Sequence, residues 1–215
     1  MVSKKPIAVM LPLALAFSIV GVVHATEEQK EKKKDAVELL THLTQEKFPN
    51  AKVEKISLKE YLEIEKKFDE ADKGGSVKQS DSVQPFAGSA PPYSTWEIAI
   101  VDSEADEGPD GYQDVVGLDE APIPVRGNTA VYTYTIGHGY KWAWLDGEAA
   151  NTTNGYVTNL YSIDTNRDGV VDGYWYEVAF NSDDKISSWA EFKSRGVSYN
   201  FPNNTMEDSI TIYHE

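Results

Sequence analysis

The sequence predicts a mainly β protein, an antiparallel β-sandwich or barrel-like sheet preceded by a small two-helix N-terminal segment. Three observations carry that expectation. Residues 93–215 break into short runs of alternating β-branched, aromatic and small residues, separated by Gly, Asn and Asp clusters. All five Trp and eleven of the twelve Tyr lie beyond residue 73, so the aromatic mass of the core belongs there. Residues 26–73 instead hold 11 Lys and 13 acids, no Trp, and apolar residues at helical spacing.

The chain opens with an address. Lys4 and Lys5 precede an uncharged run from Ile7 to Val23, then Val23-His24-Ala25 and the acids Glu27 and Glu28. A basic start, an apolar middle and small residues at −3 and −1 describe a secretory signal peptide, residues 1–25, cleaved after Ala25. The alternative is a retained anchor, but the run has only 17 residues and Pro12 interrupts it. The expected location is secreted, periplasmic or cell-surface, with no membrane partner after cleavage.

Residues 26–73 form the next unit. Thr26 to Lys34 is a charge run expected as a solvated tail. Asp35 is placed to cap a helix carrying Ala36, Leu39, Leu40 and Leu43 on one face and ending before Pro49. Val53 to Ile56 suits a short strand. Ser57-Leu58-Lys59-Glu60 is a capping box that opens a second helix, with Leu58, Tyr61, Leu62 and Phe68 near one stripe. Helices this short need a surface to dock on: the larger part of the chain, each other in an oligomer, or a partner. Residues 74–92, rich in Gly, Ser and Pro, read as a linker.

In the β part, strands are expected at Trp96–Val101, Thr129–Ile136, Tyr140–Leu145, Tyr156–Ile163, Tyr174–Phe180, Gly196–Phe201 and Ser209–Tyr213. Ser187 to Lys193 is expected as one or two helical turns. Tyr140, Trp142 and Trp144 share one strand face. Trp is mostly buried, so packing in the core is the first expectation for these rings. Exposed, the same row would stack on sugars, an architectural analogy to carbohydrate-binding modules.

Composition excludes several classes. With no Cys there is no disulfide, thiolate metal site or cysteine nucleophile. The formal charge of −15 becomes −17 without the two leader lysines, which argues against nucleic acid as a partner. No Gly-x-Ser-x-Gly elbow, His-Glu-x-x-His motif or phosphate loop occurs. His138, between strands in Gly137-His138-Gly139, reads as a turn residue, or as a general base if a pocket surrounds it.

The sharpest motif is Asp164-Thr165-Asn166-Arg167-Asp168-Gly169-Val170-Val171-Asp172. Hard cations take six to eight oxygens, and side-chain oxygens at loop positions 1, 3 and 5 converge when Gly at position 6 permits the turn. Asp164, Asn166 and Asp168 fill those positions, with the Val170 carbonyl at position 7 and Asp172 at position 9. The stretch resembles the D-x-N-x-D-G-x-x-D calcium loop of EF-hand and dockerin proteins, over these nine residues only. Position 12 is Trp175 where an EF-hand has Glu, so Glu177, Asp183 or Asp184 is needed as the last ligand. The missing ligand predicts a Kd for Ca2+ on the order of 10⁻⁴ to 10⁻³ M. A thinner echo upstream has Asp106, Asp110, the Tyr112 carbonyl and Asp114 as ligands of a second, weaker site.

These readings converge on a secreted or envelope-associated, calcium-binding, non-catalytic module. Its partners would be calcium and a glycan or another envelope protein. A glycan-binding module acting through Tyr140, Trp142 and Trp144 is the first alternative, and a small secreted hydrolase the second.

Overall fold

The computed structural model describes residues 27–72, 90–105, 112–199 and 204–215. Within them the chain builds three layers: helix α1, a six-stranded sheet A, and a four-stranded sheet B. Every pairing between named strands is antiparallel. The fold is a sandwich and not a closed barrel. The expected leader and most of the expected linker lie outside the described residues. Among the described residues no helix is long and apolar enough to cross a membrane.

Helix α1 (Glu27–Lys47) starts eight residues before Asp35, so Asp35 lies inside it and is not its cap. It ends before Pro49 as expected. Its docked face holds Leu40 and Thr44, both fully buried, with Val37, Leu39 and Leu43 around them. Strand β1 (Lys52–Ile56) follows, and then α2 (Leu58–Asp72). The capping box forms as expected. The Ser57 N–H donates to Glu60 Oε2 at 2.7 Å, and the Glu60 N–H donates back to Ser57 Oγ at 3.2 Å. The Ser57 N–H, and then its hydroxyl, which also donates to Glu60 Oε2 at 2.7 Å, hold the Glu60 carboxyl below its usual value.

Sheet A has the order β1-β7-β8-β4-β2-β3, where β2 is Thr95–Ser103, β3 Gln113–Asp114, β4 Asn128–Ile136, β7 Val157–Asp164 and β8 Gly173–Asn181. Sheet B has the order β10-β9-β5-β6, where β5 is Gly139–Leu145, β6 Glu148–Ala149, β9 Trp189–Ser198 and β10 Thr205–Tyr213. The expected helical turns at Ser187–Lys193 are instead the start of β9. Ala190 and Phe192 point inward there and Trp189 and Glu191 outward, a period of two. A helical turn does precede it, α3 (Ser182–Lys185), capped by Asn181.

Sheet A is covered on both faces, which explains its near-continuous burial. Tyr132, Tyr134, Tyr161, Ile163 and Trp175 pack under α1, and Trp175 Nε1 donates to Thr44 Oγ1 at 2.9 Å. Its other face meets sheet B through Ile98, Val131, Val178, Phe180, Leu145, Phe192, Ile210 and Ile212. A bulge between Ile98 and Ile100 lets Ile98 and Val101 share that inner face. Trp96 also belongs between the sheets, where its Nε1 donates to Ser194 Oγ at 2.9 Å. A Cβ at Gly196 would enter its ring.

The chain passes from sheet A to sheet B at Gly137-His138. Gly137 has φ 110°, and a Cβ there would collide with the Pro92 carbonyl. Its N–H donates to the Asp172 carbonyl at 2.7 Å, while the His138 N–H donates to the Pro91 carbonyl at 3.1 Å. This crossing therefore fastens three separate segments.

Candidate functional site

Three places in the fold carry chemistry. The first is the outer face of sheet B, which no described element covers. Along β5, Gly139, Lys141, Ala143 and Leu145 turn inward, so Tyr140, Trp142 and Trp144 turn outward. Tyr140 is 49% and Trp142 46% exposed, and Trp144 is half-buried. The expectation that these rings pack in the core is thus corrected. The cores on either side of sheet A are already filled by other aromatics, and β5 has only one inner face. Tyr140 and Trp142 have centroids 6.1 Å apart and planes 34° apart, and Tyr199 sets its edge on Tyr140 at 4.9 Å. Opposite on β9 stand Val197, Arg195 and Lys193, paired with Tyr140, Trp142 and Trp144 respectively. Lys193 is bridged to Glu207 of β10 at 2.6 Å. Trp189 and Tyr213, cross-strand neighbours, extend the exposed aromatic surface on β9 and β10. The result is a row of rings flanked by hydrogen-bonding groups, on a rigid sheet.

The second place is the β7–β8 connection, the expected calcium loop. Its side-chain oxygens turn back onto the loop backbone. Asp164 Oδ2 accepts from the Gly169 N–H at 2.9 Å, Asn166 Oδ1 from the Asp168 N–H at 2.9 Å, and Asp168 Oδ1 from the Val170 N–H at 2.8 Å. Asp172 Oδ2 accepts from the Thr165 N–H at 2.8 Å and from its hydroxyl. Gly169 has φ 85°, as a sixth-position glycine requires, and Arg167 is also left-handed at 61°. Among the described residues no three His, Asp or Glu side chains gather closely enough to hold a metal ion. Oxygens here would have to come from Asn166 and the Val170 carbonyl as well.

Glu177 does not supply the missing ligand. It is buried in the middle of β8, accepting from Tyr161 Oη at 2.7 Å and Asn159 Nδ2 at 2.8 Å. Four residues of extended chain separate it from Gly173, about 13 Å. Asp183 and Asp184 lie beyond the far end of β8, where Asp183 accepts from the Gly127 N–H and meets His214. Of the upstream echo, Asp106 and Asp110 lie outside the described residues. Tyr112 packs against the α1-side core, and Asp114 is exposed and accepts from the Val116 N–H.

The third place was not foreseen. Inside the mouth of the sandwich, α2 inserts Glu65 between His138 and Lys141. Glu65 Oε1 lies 2.7 Å from His138 Nδ1, and Oε2 accepts from the Gly139 N–H at 3.3 Å and lies 3.6 Å from Lys141 Nζ. His138 Nε2 is 2.8 Å from the Val171 carbonyl. Both ring nitrogens face acceptors, so both contacts are hydrogen bonds only if both nitrogens donate, as in an imidazolium. Phe68 stacks on the imidazole, centroids 3.6 Å apart. Lys141 Nζ sits 4.4 Å from the Tyr174 ring centroid, 5.0 Å from those of Tyr61 and Tyr176, and 5.6 Å from that of Tyr93. It also donates to Tyr61 Oη at 3.3 Å. Burial pulls the Lys141 amine down to about 8 against the opposing pull of Glu65. Burial pushes the Glu65 carboxyl up, but Lys141 and then His138 outweigh it and hold the group at about 2. Burial and the Glu65 charge raise the phenols of Tyr93 and Tyr174 well above their usual value.

Residues 84–212 match a family described as a domain of unknown function, DUF4879. The chain belongs to that family. No curated protein matches it, and no solved structure does. The family match spans the exposed ring row, the 164–172 loop, His138 and Lys141. It leaves out α1, β1 and α2, and with them Tyr61, Glu65 and Phe68.

Nothing in the sequence paired Glu65 with His138, because the partners are 73 residues apart and on different kinds of element. One signal was available: a Lys in an inward-facing strand position needs a buried counter-charge. Lys141 occupies that position opposite the outward ring row.

Proposed function

We propose that this protein is a secreted or envelope-associated, non-catalytic binding module that recognises a carbohydrate on the outer face of sheet B. One observation carries the reading: Tyr140 and Trp142 stand half-exposed in a row on a sheet face that no described element covers. Exposed aromatics in a group are expensive to leave in water and mark recognition surfaces. Sugar rings present C–H faces suited to aromatic stacking and hydroxyl edges suited to polar neighbours, and Arg195, Lys193 and Glu207 lie alongside. A glycan array probed with the mature protein, followed by calorimetry on hits, tests this reading. Trp142→Ala is expected to weaken binding by about 2 kcal/mol, the size typical of a central aromatic contact. An array with no hit, or a hit indifferent to Trp142→Ala, would remove it.

The second reading is calcium at the 164–172 loop, favoured by the phase of Asp164, Asn166 and Asp168 with a left-handed Gly169. In this reading the ion neutralises the carboxylates and steadies the hairpin end. Thermal melts in millimolar calcium against magnesium, with native mass spectrometry, are expected to find one bound ion and a higher Tm. Asp168→Ala should erase the calcium-dependent part alone. Identical melts and no bound ion dismiss the idea.

A further inference from the structure

We infer that the mouth of the sandwich is a carboxylate-binding pocket of the β domain, and that α2 fills it as a built-in ligand through Glu65 and Phe68. The inference concerns the interior, and does not depend on the glycan reading of the outer face.

The pocket is positive without its plug. Lys141 and His138 are both buried, and among the described residues the carboxylate set between them comes from α2. Every other contact that recognises the carboxylate belongs to the family-matched β domain: the His138 ring, the Gly139 N–H and Lys141. The walls suit an aromatic body, since Phe68 lies flat on His138 and Tyr174 sets its edge against the same imidazole at 5.7 Å. A further donor is spare: the buried Tyr93 hydroxyl, on a ring facing Lys141, has no hydrogen-bond partner among the described residues. A buried polar group left unmatched is a cost that an added acceptor would relieve.

The plug is built to be exchangeable. Among its described side chains α2 fully buries only Glu65 and Phe68, while Leu58 is 63% and Leu62 56% exposed. A helix that hides a carboxylate, sets two rings, Tyr61 and Phe68, against the pocket and leaves two leucines in water is docked by charge and aromatic edges, with little aliphatic area. Its root is held separately, because β1 pairs with β7 and the capping box fixes Ser57. A small molecule carrying a carboxylate and an aryl ring presents the same two features as the Glu65–Phe68 pair. It would compete with α2 in proportion to its preference for the unplugged state.

The test uses the full mature chain. In Glu65→Ala, sodium acetate is expected to raise Tm saturably above sodium chloride of equal ionic strength. The double variant Glu65→Ala/Lys141→Met is expected to lose that difference. In wild type, 3-phenylpropionate is expected to speed hydrogen exchange of the α2 amides severalfold while β4 and β8 keep their protection. Equal responses of Glu65→Ala to acetate and chloride overturn the pocket. Rescue by acetate with no release of α2 in wild type reduces the contact to a folding latch and overturns the ligand claim. Should Glu65→Ala fail to fold, the wild-type exchange result decides alone: release sustains the inference, and unchanged exchange overturns it.

Discussion

Glu65 is the residue on which the N-terminal segment turns. Its carboxylate lies lower than in the unfolded chain, at about 2 against 4.5. A depressed acid stabilises the fold fully above its unfolded value and loses that contribution as pH falls toward the folded value. Unfolding free energy should therefore drop between pH 4.5 and 2, and denaturant titrations across that window should show a shallower slope in Glu65→Gln. At neutral pH the same variant leaves Lys141 without its anion and is expected to cost about 3–5 kcal/mol, the range for breaking one side of a buried pair. Gly137→Ala should be comparably damaging, because φ 110° and the Pro92 carbonyl both oppose a side chain; a melt that matches wild type would refute that account. Neither effect could be read from sequence in full. Gly137-His138-Gly139 was legible as a tight turn, but not as the crossing between two sheets where a buried ion cluster forms. His138 looked like a turn residue because its acid partner sits far upstream on a helix.

Elements with a period were legible, and elements defined by context were not. Alternation found the cores of β2, β4, β5, β7, β8 and β10, while the run expected at Gly196–Phe201 meets only the last three residues of β9 before leaving the described residues. The Ser57–Glu60 box located the start of α2. The first half of β9 was misjudged because Ser187 and Ser188 before a mixed apolar-charged run imitate a helix start, although Ala190 and Phe192 alternate with Trp189 and Glu191. The two-residue strands β3 and β6 have no pattern to find. For α2 the expected stripe named Leu58, Tyr61, Leu62 and Phe68. Tyr61 and Phe68 do turn inward, but Leu58 and Leu62 are exposed and Glu65 takes the inward place, because the pocket the helix meets is cationic. On α1 the expected face was right, since it meets an apolar sheet. Leu40→Ala should accordingly cost about 2–5 kcal/mol in a denaturant titration, with a void left under α1. A cost below 1 kcal/mol would mean that α1 docks mainly by other contacts. The β7–β8 connection is closed by its own side chains, so Asp172→Ala should loosen the Thr165 end of the loop and raise its hydrogen exchange even without calcium.

Across the molecule, the sandwich segregates its tryptophans by role. Trp96 and Trp175 are buried and hydrogen-bonded to Ser194 and Thr44, whereas Trp142 and Trp189 face water. Iodide should quench about the exposed pair and spare the buried pair. Trp142→Phe should remove quenchable emission, and Trp175→Phe should remove protected emission. The mainly β class and the helical N-terminal segment were visible in composition because aromatic mass and charge separate along the chain. The side of a strand that faces outward was not, because burial depends on what a second sheet covers. One feature of the architecture has a wider bearing. An open sheet ends in unsatisfied backbone donors and acceptors that can recruit another chain into a growing fibre. Here sheet A ends at β3 and sheet B at β6, each only two residues long, and residues 119–125 bind along the outer side of β10 through Ala121 and Val125. The remaining border, β1, carries Lys52 and Lys55. A protein that displays sticky rings to its surroundings is thereby kept from zipping onto its own copies.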